Sequence, residues 1–383
     1  MKDYIPVNED LITITDYEVI EKLENPFIFK DGSPVKTKED WQKRRKEIFD
    51  SCVELQYGKI PPAPEFLEFF LAYKSPSGSY HYTVKTGKRE KPIYLSMTVF
   101  KPQGDGPFPV VVCGDRCFPY VYDKEWVSTF TDKGILLAVF NRVDLAPDNK
   151  DFYTNSPFFD TYPGDWKTTA IWAWGYSRCV DALEQIDFAD TNCITFTGHS
   201  RGGKTAMLAG VLDERATIVN PNATCAGGCS CYRLKIKAIT ENGEIKVSEG
   251  TDIATRFPHW FNPELANYIN KETELPFDSH LYKALIAPRV YLQTEAGSDI
   301  WANPVGAWQT TMAATEVYKF LGCEDKIFWH YRNGYHGQLI RDIDMLINVI
   351  LHTYKGEELD EAFFRTPFKK PELMFDWRAP ENN

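Results

Sequence analysis

Two hydrophobic patterns alternate along most of the chain. Short unbroken apolar runs, such as 108–113 and 135–140, are typical of parallel strands that are buried on both faces. Longer segments, such as 165–185, have apolar residues at the spacing of a helix. The chain is predicted to begin its sheet with a hairpin of strands 81–85 and 93–100, followed by strands 108–113 and 135–140 and helix 165–185. Strand 193–197, a helix after residue 200 and an apolar segment 217–220 come next. The last predicted elements are strand 289–294, helix 307–321, strand 326–331 and helix 337–354. This order predicts an α/β fold with a mostly parallel central sheet between helices, and it is the order of the α/β-hydrolase fold.

Two stretches depart from this alternation. Residues 1–75 are mixed, with one segment of helical spacing at 39–55 that is followed by three prolines. Residues 226–285 are polar and aromatic with weak periodicity, which indicates an insertion over the strand ends that acts as a lid or a substrate wall. We therefore predict a hydrolase domain over 76–383 that includes this insertion, with 1–75 as an extension packed on the same core.

The composition narrows the possible partners. The 383 residues carry 43 Lys and Arg against 54 Asp and Glu, and the net charge of −11 argues against nucleic acid and against anionic membrane surfaces. No run reaches 18 apolar residues, and the first ten residues have no apolar region of the signal-peptide kind. The nine cysteines are odd in number and scattered, which favours reduced thiols in a cytoplasm; a secreted protein whose leader was removed is the alternative. The sequence does not indicate an oligomeric state.

Three of the cysteines lie close together in the sequence. They are Cys225, Cys229 and Cys231, and no second half of a zinc ligand set stands beside them. We therefore predict no metal site.

The most informative stretch of the chain is Gly198-His-Ser-Arg-Gly-Gly-Lys204. It follows an apolar strand and opens a segment rich in Ala, Leu and Met, which is the strand–turn–helix setting of a nucleophile elbow. Such a turn is strained, so small residues must flank the serine, and Gly198 and Gly202 lie two residues before and two after Ser200. We predict that Ser200 is a catalytic nucleophile. The alternative is a glycine-rich helix start in which Ser200 is only the capping residue.

The charges on the helix after Ser200 support this prediction. Arg201 and Lys204 lie in its first turn and acidic residues lie at its end, so both ends oppose the helix dipole. Two cations beside a nucleophile are explained if an oxyanion or an oxygen-rich ligand binds above them. The alternatives are that these side chains extend into solvent or pair with a distant carboxylate.

The order of the fold also indicates the remaining members of a catalytic triad. The nucleophile is followed by the acid and then by the histidine. The loop after strand 289–294 offers Glu295 and Asp299, and both positions suit the acid. His336, in the loop after the last strand, is predicted to be the general base, whereas His330 and His352 are interpreted as structural.

An oxyanion site should accompany the triad. We predict that it uses the backbone N–H of Arg201 and a second donor from the loop after strand 108–113, near Gly114. Acyl transfer by a triad needs no cofactor, and we expect none.

Several separate motifs carry a more specific likeness. The chain resembles carbohydrate esterase family 15, the glucuronoyl esterases, in Gly198-His-Ser-Arg-Gly-Gly-Lys204, Ala226-Gly-Gly228, Phe257-Pro-His-Trp-Phe261, Leu275-Pro-Phe-Asp278, Leu285-Ile-Ala-Pro-Arg289, Asp299-Ile-Trp-Ala-Asn-Pro304 and His330-Tyr-Arg-Asn-Gly-Tyr-His-Gly337. The resemblance covers about residues 90–355. It implies that the enzyme cleaves esters between glucuronic acid on xylan and lignin alcohols.

The resemblance also implies roles for individual residues. Asp299 rather than Glu295 would be the acid, and the side chain of Arg201 would help to hold the oxyanion. Lys204 would hydrogen-bond sugar hydroxyls, and Trp301 would pack on the sugar, with a plain loop anchor as the alternative for the tryptophan.

The chain departs from the family at two points. Many members carry a glutamate where this chain has Ala223, so the acid rests on Asp299 alone. The sugar-binding residues of the insertion are hard to place: Glu249 is a candidate, and a solvated surface charge is the alternative.

The sequence thus predicts a serine carboxylic-ester hydrolase that acts on a small or oligosaccharide ester, in the first place a 4-O-methyl-glucuronate ester. Two alternatives remain open at this point. One keeps the triad but removes acetyl groups from xylo-oligosaccharides. The other is a non-catalytic carbohydrate-binding protein with a hydrolase fold.

Overall fold

A computed structural model describes residues 13–239 and 245–381. Its strands are β1 (Thr13–Val19), β2 (Phe66–Lys74), β3 (Tyr80–Lys88), β4 (Lys91–Phe100), β5 (Phe108–Cys113), β6 (Leu136–Phe140), β7 (Ala189–His199), β8 (Ala216–Asn222), β9 (Leu234–Ile239), β10 (Ile245–Val247), β11 (Val290–Ala296) and β12 (Ile327–Arg332). Its α-helices are α1 (Lys38–Tyr57), α2 (Lys124–Thr131), α3 (Pro157–Thr161), α4 (Thr168–Leu183), α5 (Arg201–Leu212), α6 (Ile253–Arg256), α7 (Ser279–Ile286), α8 (Pro304–Leu321) and α9 (Ile340–Lys355).

A nine-stranded sheet forms the centre of the fold, in the order β12-β11-β8-β7-β5-β6-β4-β3-β2. The six strands from β12 to β6 are parallel, and β4, β3 and β2 continue the sheet in antiparallel pairs. The predicted fold class is therefore confirmed. Strand β5 lies between β6 and β7, so the chain order reverses there, and ligands of such sheets bind at the carboxyl ends of the strands near that point.

The unbroken apolar runs reflect burial on both faces of the sheet. In β5, Val110 and Val112 belong to the core on one face, whereas Val111 and Cys113 belong to the core on the other. All five residues of β6 are buried for the same reason. Helices cover both faces, so a polar side chain within these strands would have no access to water.

The amino-terminal part differs from the prediction in one respect. Strand β2 belongs to the central sheet and pairs with β3, so the predicted boundary at residue 75 separates two hydrogen-bonded strands. The strand lies at the edge of the sheet and exposes Phe70 and Tyr73, and its sequence lacks the alternation of a half-buried strand. Helix α1 packs against α7, where the Tyr282 hydroxyl donates to the Cys52 carbonyl at 2.5 Å.

Residues 226–285 contain regular structure that the weak periodicity did not indicate. Strand β9 pairs with β1 and with β10 in a small antiparallel sheet, and α6 and α7 follow. Leu234, Ile236 and Ala238 alternate toward a third apolar core that also contains residues of α8. The insertion is thus anchored through one face of this small sheet. Of the helices in the described ranges, none is both long and apolar enough to cross a membrane.

Candidate active site

Ser200 occupies a strained turn between β7 and α5. Its backbone angles are φ 57° and ψ −119°, a left-handed conformation that side chains rarely adopt and that a nucleophile elbow requires. A Cβ on Gly198 would lie 2.5 Å from the Gly202 carbonyl oxygen, and a Cβ on Gly202 would overlap the carboxylate of Asp115. The hydroxyl of Ser200 accepts no capping hydrogen bond from α5, so the capping alternative is not supported.

His336 and Asp299 meet at the carboxyl ends of β12 and β11. The Nδ1 of His336 lies 2.6 Å from Oδ2 of Asp299, and the Asp299 side chain is only 3% exposed against 31% for His336. Because the carboxylate accepts the Nδ1 proton, Nε2 of the imidazole carries the free lone pair of a general base. The ring of His199, next to Ser200 in the chain, lies 4.5 Å from the His336 ring, which sets the base beside the elbow.

Glu295 does not take part in this arrangement. It is fully buried, and its Oε1 accepts a hydrogen bond of 2.6 Å from Gln293. Burial, and then the neighbouring charge of Asp299, raise its pKa well above the usual range. The geometry therefore supports Asp299, and not Glu295, as the partner of His336.

A buried arginine holds the loop that carries His336. The guanidinium of Arg332 donates to the carbonyls of Tyr335 and Gly337, at 3.3 and 2.7 Å, on either side of the histidine. Its Nε donates to Asp342 at 2.8 Å, which fixes it to the first turn of α9. The position of the imidazole thus depends on a side chain that does not touch it.

A second imidazole, that of His199, lies at the site beside His336. Its Nδ1 lies 2.7 Å from Oδ1 of Asn222, which can only accept, so the proton is on Nδ1. Burial, and then the charge of His336, lower the pKa of His199 to about 4. His199 is therefore neutral at neutral pH.

In the loop after β5, Gly114 supports the elbow instead of supplying an oxyanion donor. Gly114 donates its N–H to the Tyr176 hydroxyl at 2.9 Å, so the prediction of an oxyanion donor at Gly114 is wrong. The Tyr176 hydroxyl in turn donates to the Thr197 carbonyl at 2.8 Å and so bridges β5 and β7. Next to Gly114, the buried Asp115 accepts the backbone N–H of His199 at 2.8 Å and pairs with Arg142.

The Arg201 side chain is held by Asp148, which lies 53 residues earlier in the chain. Its Nη1 lies 2.5 Å from Oδ2 of Asp148, and that carboxylate also accepts from His259 at 3.0 Å and from Trp260 at 2.7 Å. Burial would raise the pKa of Asp148, but the hydrogen bonds from His259, Arg201 and Trp260 outweigh it and hold the pKa well below its usual range. The alternative considered from the sequence, that Arg201 pairs with a distant carboxylate, is therefore correct for one nitrogen of its guanidinium, Nη1. The Arg201 side chain remains 37% exposed. The backbone N–H of Arg201 is the first of α5, so it has no acceptor within the helix.

Lys204 is buried beneath the elbow and does not extend into solvent. Its ammonium donates to the Thr224 carbonyl and lies 5.8 Å from the centre of the Trp260 ring. An ammonium has three N–H donors, so two remain beyond this carbonyl. Gly227 and Gly228 pass close to its methylene groups.

Trp301 and Glu249 line one cleft at the edge of the site. Trp301 is 53% exposed, which does not support the alternative of a plain loop anchor. Glu249 is buried and lies 3.0 Å from the guanidinium of Arg256, so it is not the solvated surface charge considered from the sequence. Whether either residue contacts a substrate stays a prediction.

Ala223 is buried at the carboxyl end of β8, with a left-handed φ of 45°. The cysteines nearby are not arranged as ligands: Cys231 donates its thiol to Asp278 at 3.3 Å. Over the two described ranges, no three His, Cys, Asp or Glu side chains come together in a way that could hold a metal ion.

The sequence did not reveal the residues that position the site, namely Asp115, Asp148, Arg142, His259, Trp260 and Arg332. His259 and Trp260 lie within a motif that matched the resemblance, so a signal for them was present. Asp148 and Asp115 carry no local pattern, because their partners are far away in the chain.

Fold and site together define a serine hydrolase of the α/β-hydrolase class. The family model for fungal glucuronyl esterases matches residues 84–322. The 4-O-methyl-glucuronoyl methylesterase 1 of Wolfiporia cocos is 32% identical over 351 residues, which are 90% of this chain and 79% of that protein. The chain belongs to the glucuronoyl esterase family, carbohydrate esterase family 15, and is a carboxylic ester hydrolase.

Solved structures agree with this assignment. A family 15 glucuronoyl esterase from Caldicellulosiruptor kristjansonii superposes with a TM-score of 0.78 at 29% identity, over 88% of this chain and 92% of that one. A glucuronoyl esterase variant from Sporotrichum thermophile, in complex with methyl 4-O-methyl-β-D-glucopyranuronate, shares the fold with a TM-score of 0.73 at 24% identity, over 90% and 91%.

Proposed function

We propose that this enzyme hydrolyses esters of 4-O-methyl-glucuronic acid, with Ser200 as nucleophile, His336 as general base and Asp299 as the acid that orients it. The observation that carries this proposal is the 2.6 Å contact between His336 and Asp299 beside the strained serine. The names of the relatives support the uronate as the acyl group, since the similar Wolfiporia cocos protein is a 4-O-methyl-glucuronoyl methylesterase.

The first half of the reaction acylates the serine. His336 takes the proton of the Ser200 hydroxyl on Nε2 while the oxygen attacks the ester carbonyl, and Asp299 stabilises the imidazolium. The backbone N–H of Arg201, and the part of its guanidinium that does not pair with Asp148, face the developing oxyanion. The carbon–oxygen bond to the alcohol then breaks, and His336 returns its proton to the leaving alkoxide. The uronoyl group remains bound to Ser200 as an ester.

The second half releases the acid. A water molecule gives its proton to His336 and attacks the same carbonyl carbon, and the bond to Ser200 breaks as the serine oxygen takes the proton back. The uronate leaves with a negative charge, close to the cations of Arg201 and Lys204.

Substrate selection is proposed to use Lys204, Trp301 and Glu249. The two remaining donors of Lys204 suit sugar hydroxyls, and the exposed indole of Trp301 suits the apolar face of a pyranose ring. Lys204→Ala should raise KM about tenfold for a methyl glucuronate ester, because a charge-assisted hydrogen bond is lost. The same variant should keep its activity on a small aryl acetate. Equal losses on both substrates would exclude the sugar-contact role.

The reaction is tested with purified protein on two substrates, methyl 4-O-methyl-glucuronate and acetylated xylotriose, with Ser200→Ala as the blank. We expect hydrolysis of the uronate ester at a much higher kcat/KM than that of the acetyl ester, and none with Ser200→Ala. A preference for the acetyl ester would replace the proposed acyl group, and equal activity in Ser200→Ala would remove the proposed nucleophile.

We also propose that the enzyme works with its thiols reduced, as in a cytoplasm. In support, all nine cysteines are free thiols, and eight of them are buried. Titration of the denatured protein, prepared without reductant, should find nine thiols; seven or fewer would mean that disulfides form.

A further inference from the structure

The imidazole of His199 lies against the ring of the general base. The two ring centres are 4.5 Å apart and the ring planes are tilted by 48°, so the His199 ring covers part of the His336 ring. The hydrogen bond to Asp299 fixes only the Nδ1 end of His336, and a ring held at one atom can still swing about that contact. The proposed reaction does not use His199, yet this residue lies where the orientation of the base is decided.

A chain of buried polar groups fixes the proton on His199. The backbone carbonyl of Thr294 can only accept, so the amide nitrogen of Asn222 faces it at 3.4 Å, and the same nitrogen donates to the Thr294 hydroxyl at 3.0 Å. The amide oxygen of Asn222 is thereby turned toward Nδ1 of His199, at 2.7 Å, so Nδ1 carries the proton. Asn222 and Thr294 are fully buried, so water offers this amide no other partner.

The same asparagine also holds the backbone of the elbow. The carbonyl of Asn222 accepts the N–H of Ser200 at 2.9 Å, and the carboxylate of Asp115 accepts the N–H of His199 at 2.8 Å. The backbone is therefore fixed on both sides of the His199 Cα, and the root of this side chain has a fixed position relative to the nucleophile. A ring on that root gives the base a reference that belongs to the elbow and not to the loop of His336.

His199 stays uncharged while its neighbour gains a charge. The titratable groups that act on His199 are His336, Asp115 and Asp299, each from a different loop. Burial, and then the charge of His336, lower the pKa of His199 to about 4, although the hydrogen bond to Asn222 and the two carboxylates act in the opposite direction. The base becomes an imidazolium during the reaction, and a cation packed against it would oppose that step. A neutral ring can cover the base without this repulsion.

We propose that His199 is a positioning residue for the esterase reaction: its neutral imidazole holds the ring of His336 in the orientation that connects the acid to the nucleophile. The asparagine and the threonine behind it keep the imidazole in the Nδ1–H form. His199 itself exchanges no proton during the reaction. This inference rests on the proposed function, because it takes His336 as the general base.

Removal of the ring tests the positioning role. His199→Ala should lower kcat on methyl 4-O-methyl-glucuronate about 100-fold with KM nearly unchanged, because the base loses its orientation while the substrate keeps its contacts. His199→Phe restores a neutral ring and should recover most of this loss, although it leaves the Asn222 amide oxygen without a donor and so lowers the melting temperature. His280→Ala is the matched control, because it removes another buried imidazole, on α7, whose pKa is also lowered to about 4. It should lower the melting temperature and leave kcat unchanged.

Nitrogen NMR examines the imidazole without any turnover. In enzyme with isotope-labelled histidine rings, the signals of His199 are those missing from His199→Phe. They should show the Nδ1–H form and titrate only near pH 4. An Nε2–H form, an ordinary titration at about pH 6.5, or His199→Phe as slow as His199→Ala would overturn the proposal.

A second substrate separates this proposal from the proposed function. The same variants are compared on a small aryl acetate, which needs the base but not the uronate. If only the acetate is hydrolysed and His199→Phe still exceeds His199→Ala, the proposed substrate fails and the positioning role stands. If His199→Ala keeps the kcat of the parent on both substrates, the positioning role fails and the proposed substrate stands.

Discussion

The elbow and the proposed substrate wall, formed by Arg201 and Glu249, are built in different ways. At the elbow, the backbone determines the position of Ser200, because Gly198 and Gly202 leave no room for side chains and Asp115 accepts the N–H of His199. At the wall, ion pairs determine the positions of Arg201 and Glu249: Arg201 pairs with a residue far away in the chain, and Glu249 pairs with Arg256, seven residues away. Asp148, for example, lies 53 residues before Arg201 in the chain.

This difference has a physical consequence for the two functions. A nucleophile on a fixed backbone turn keeps its geometry when the substrate changes, because the turn fixes Cα and Cβ and leaves only one side-chain torsion. A wall made of ion pairs is adjustable by single substitutions that leave the fold intact. We therefore expect substitutions at the elbow and the triad to lower kcat, and substitutions such as Lys204→Ala to change substrate preference.

The largest effect is expected at the acid. Asp299→Asn should lower kcat by about 10⁴-fold with the fold preserved, because the amide no longer fixes the Nδ1 proton of His336 or stabilises the imidazolium. Glu295→Gln is the matched control, since burial raises the pKa of that acid and so favours its neutral form, and the amide has nearly the same shape. A large loss in Glu295→Gln, with activity kept in Asp299→Asn, would move the acid to Glu295.

Two glycines of the site, one at the elbow and one beside His336, differ in the space around them. Gly202→Ala should cost about 1–3 kcal/mol of unfolding free energy or more, because its Cβ overlaps the Asp115 carboxylate, and activity should be lost with it. Gly337→Ala, beside His336, should be tolerated, since the nearest atom to its Cβ lies 3.7 Å away. Urea unfolding and kcat measure both; a stable, active Gly202→Ala enzyme would contradict the account of the turn.

A smaller effect is expected at the arginine behind the histidine loop. Arg332→Lys should lower kcat about 10- to 100-fold with KM nearly unchanged, since a lysine cannot hold the carbonyls on both sides of His336. Arg341→Lys, in an exposed pair with Asp360 on α9, is the control. If Arg332→Lys lowers the melting temperature but leaves kcat unchanged, Arg332 serves the fold alone.

The sequence was sufficient to predict site residues whose positions follow from the order of the strands. Ser200, Asp299 and His336 each follow a parallel strand, and the carboxyl ends of such strands meet at one edge, so the order of the motifs predicted their association. The continuous apolar runs predicted the sheet for the same reason, since burial on both faces leaves a pattern in the residues themselves.

The sequence was insufficient to predict features that depend on a contact between residues far apart in the chain. Gly114 follows β5 as an oxyanion donor would, but the hydroxyl of Tyr176, 62 residues away, accepts its N–H. The small sheet likewise pairs β1 with β9, which lies more than 200 residues away. The alternation of Leu234, Ile236 and Ala238 marks β9 as a strand, but nothing in its own sequence indicates that β1 is its partner. Asp148 shows the same limit, because its three donors lie on other segments of the chain.

The central claim is that Ser200 carries the uronoyl group during turnover. Its most direct test is a rapid acid quench of the enzyme with an aryl glucuronate ester, followed by mass spectrometry of the digested protein. We predict a glucuronoyl adduct on the peptide that contains Ser200, formed in a burst and absent in Ser200→Ala. Turnover of the ester with an adduct on another residue, or with Ser200→Ala as active as the parent, would contradict the account.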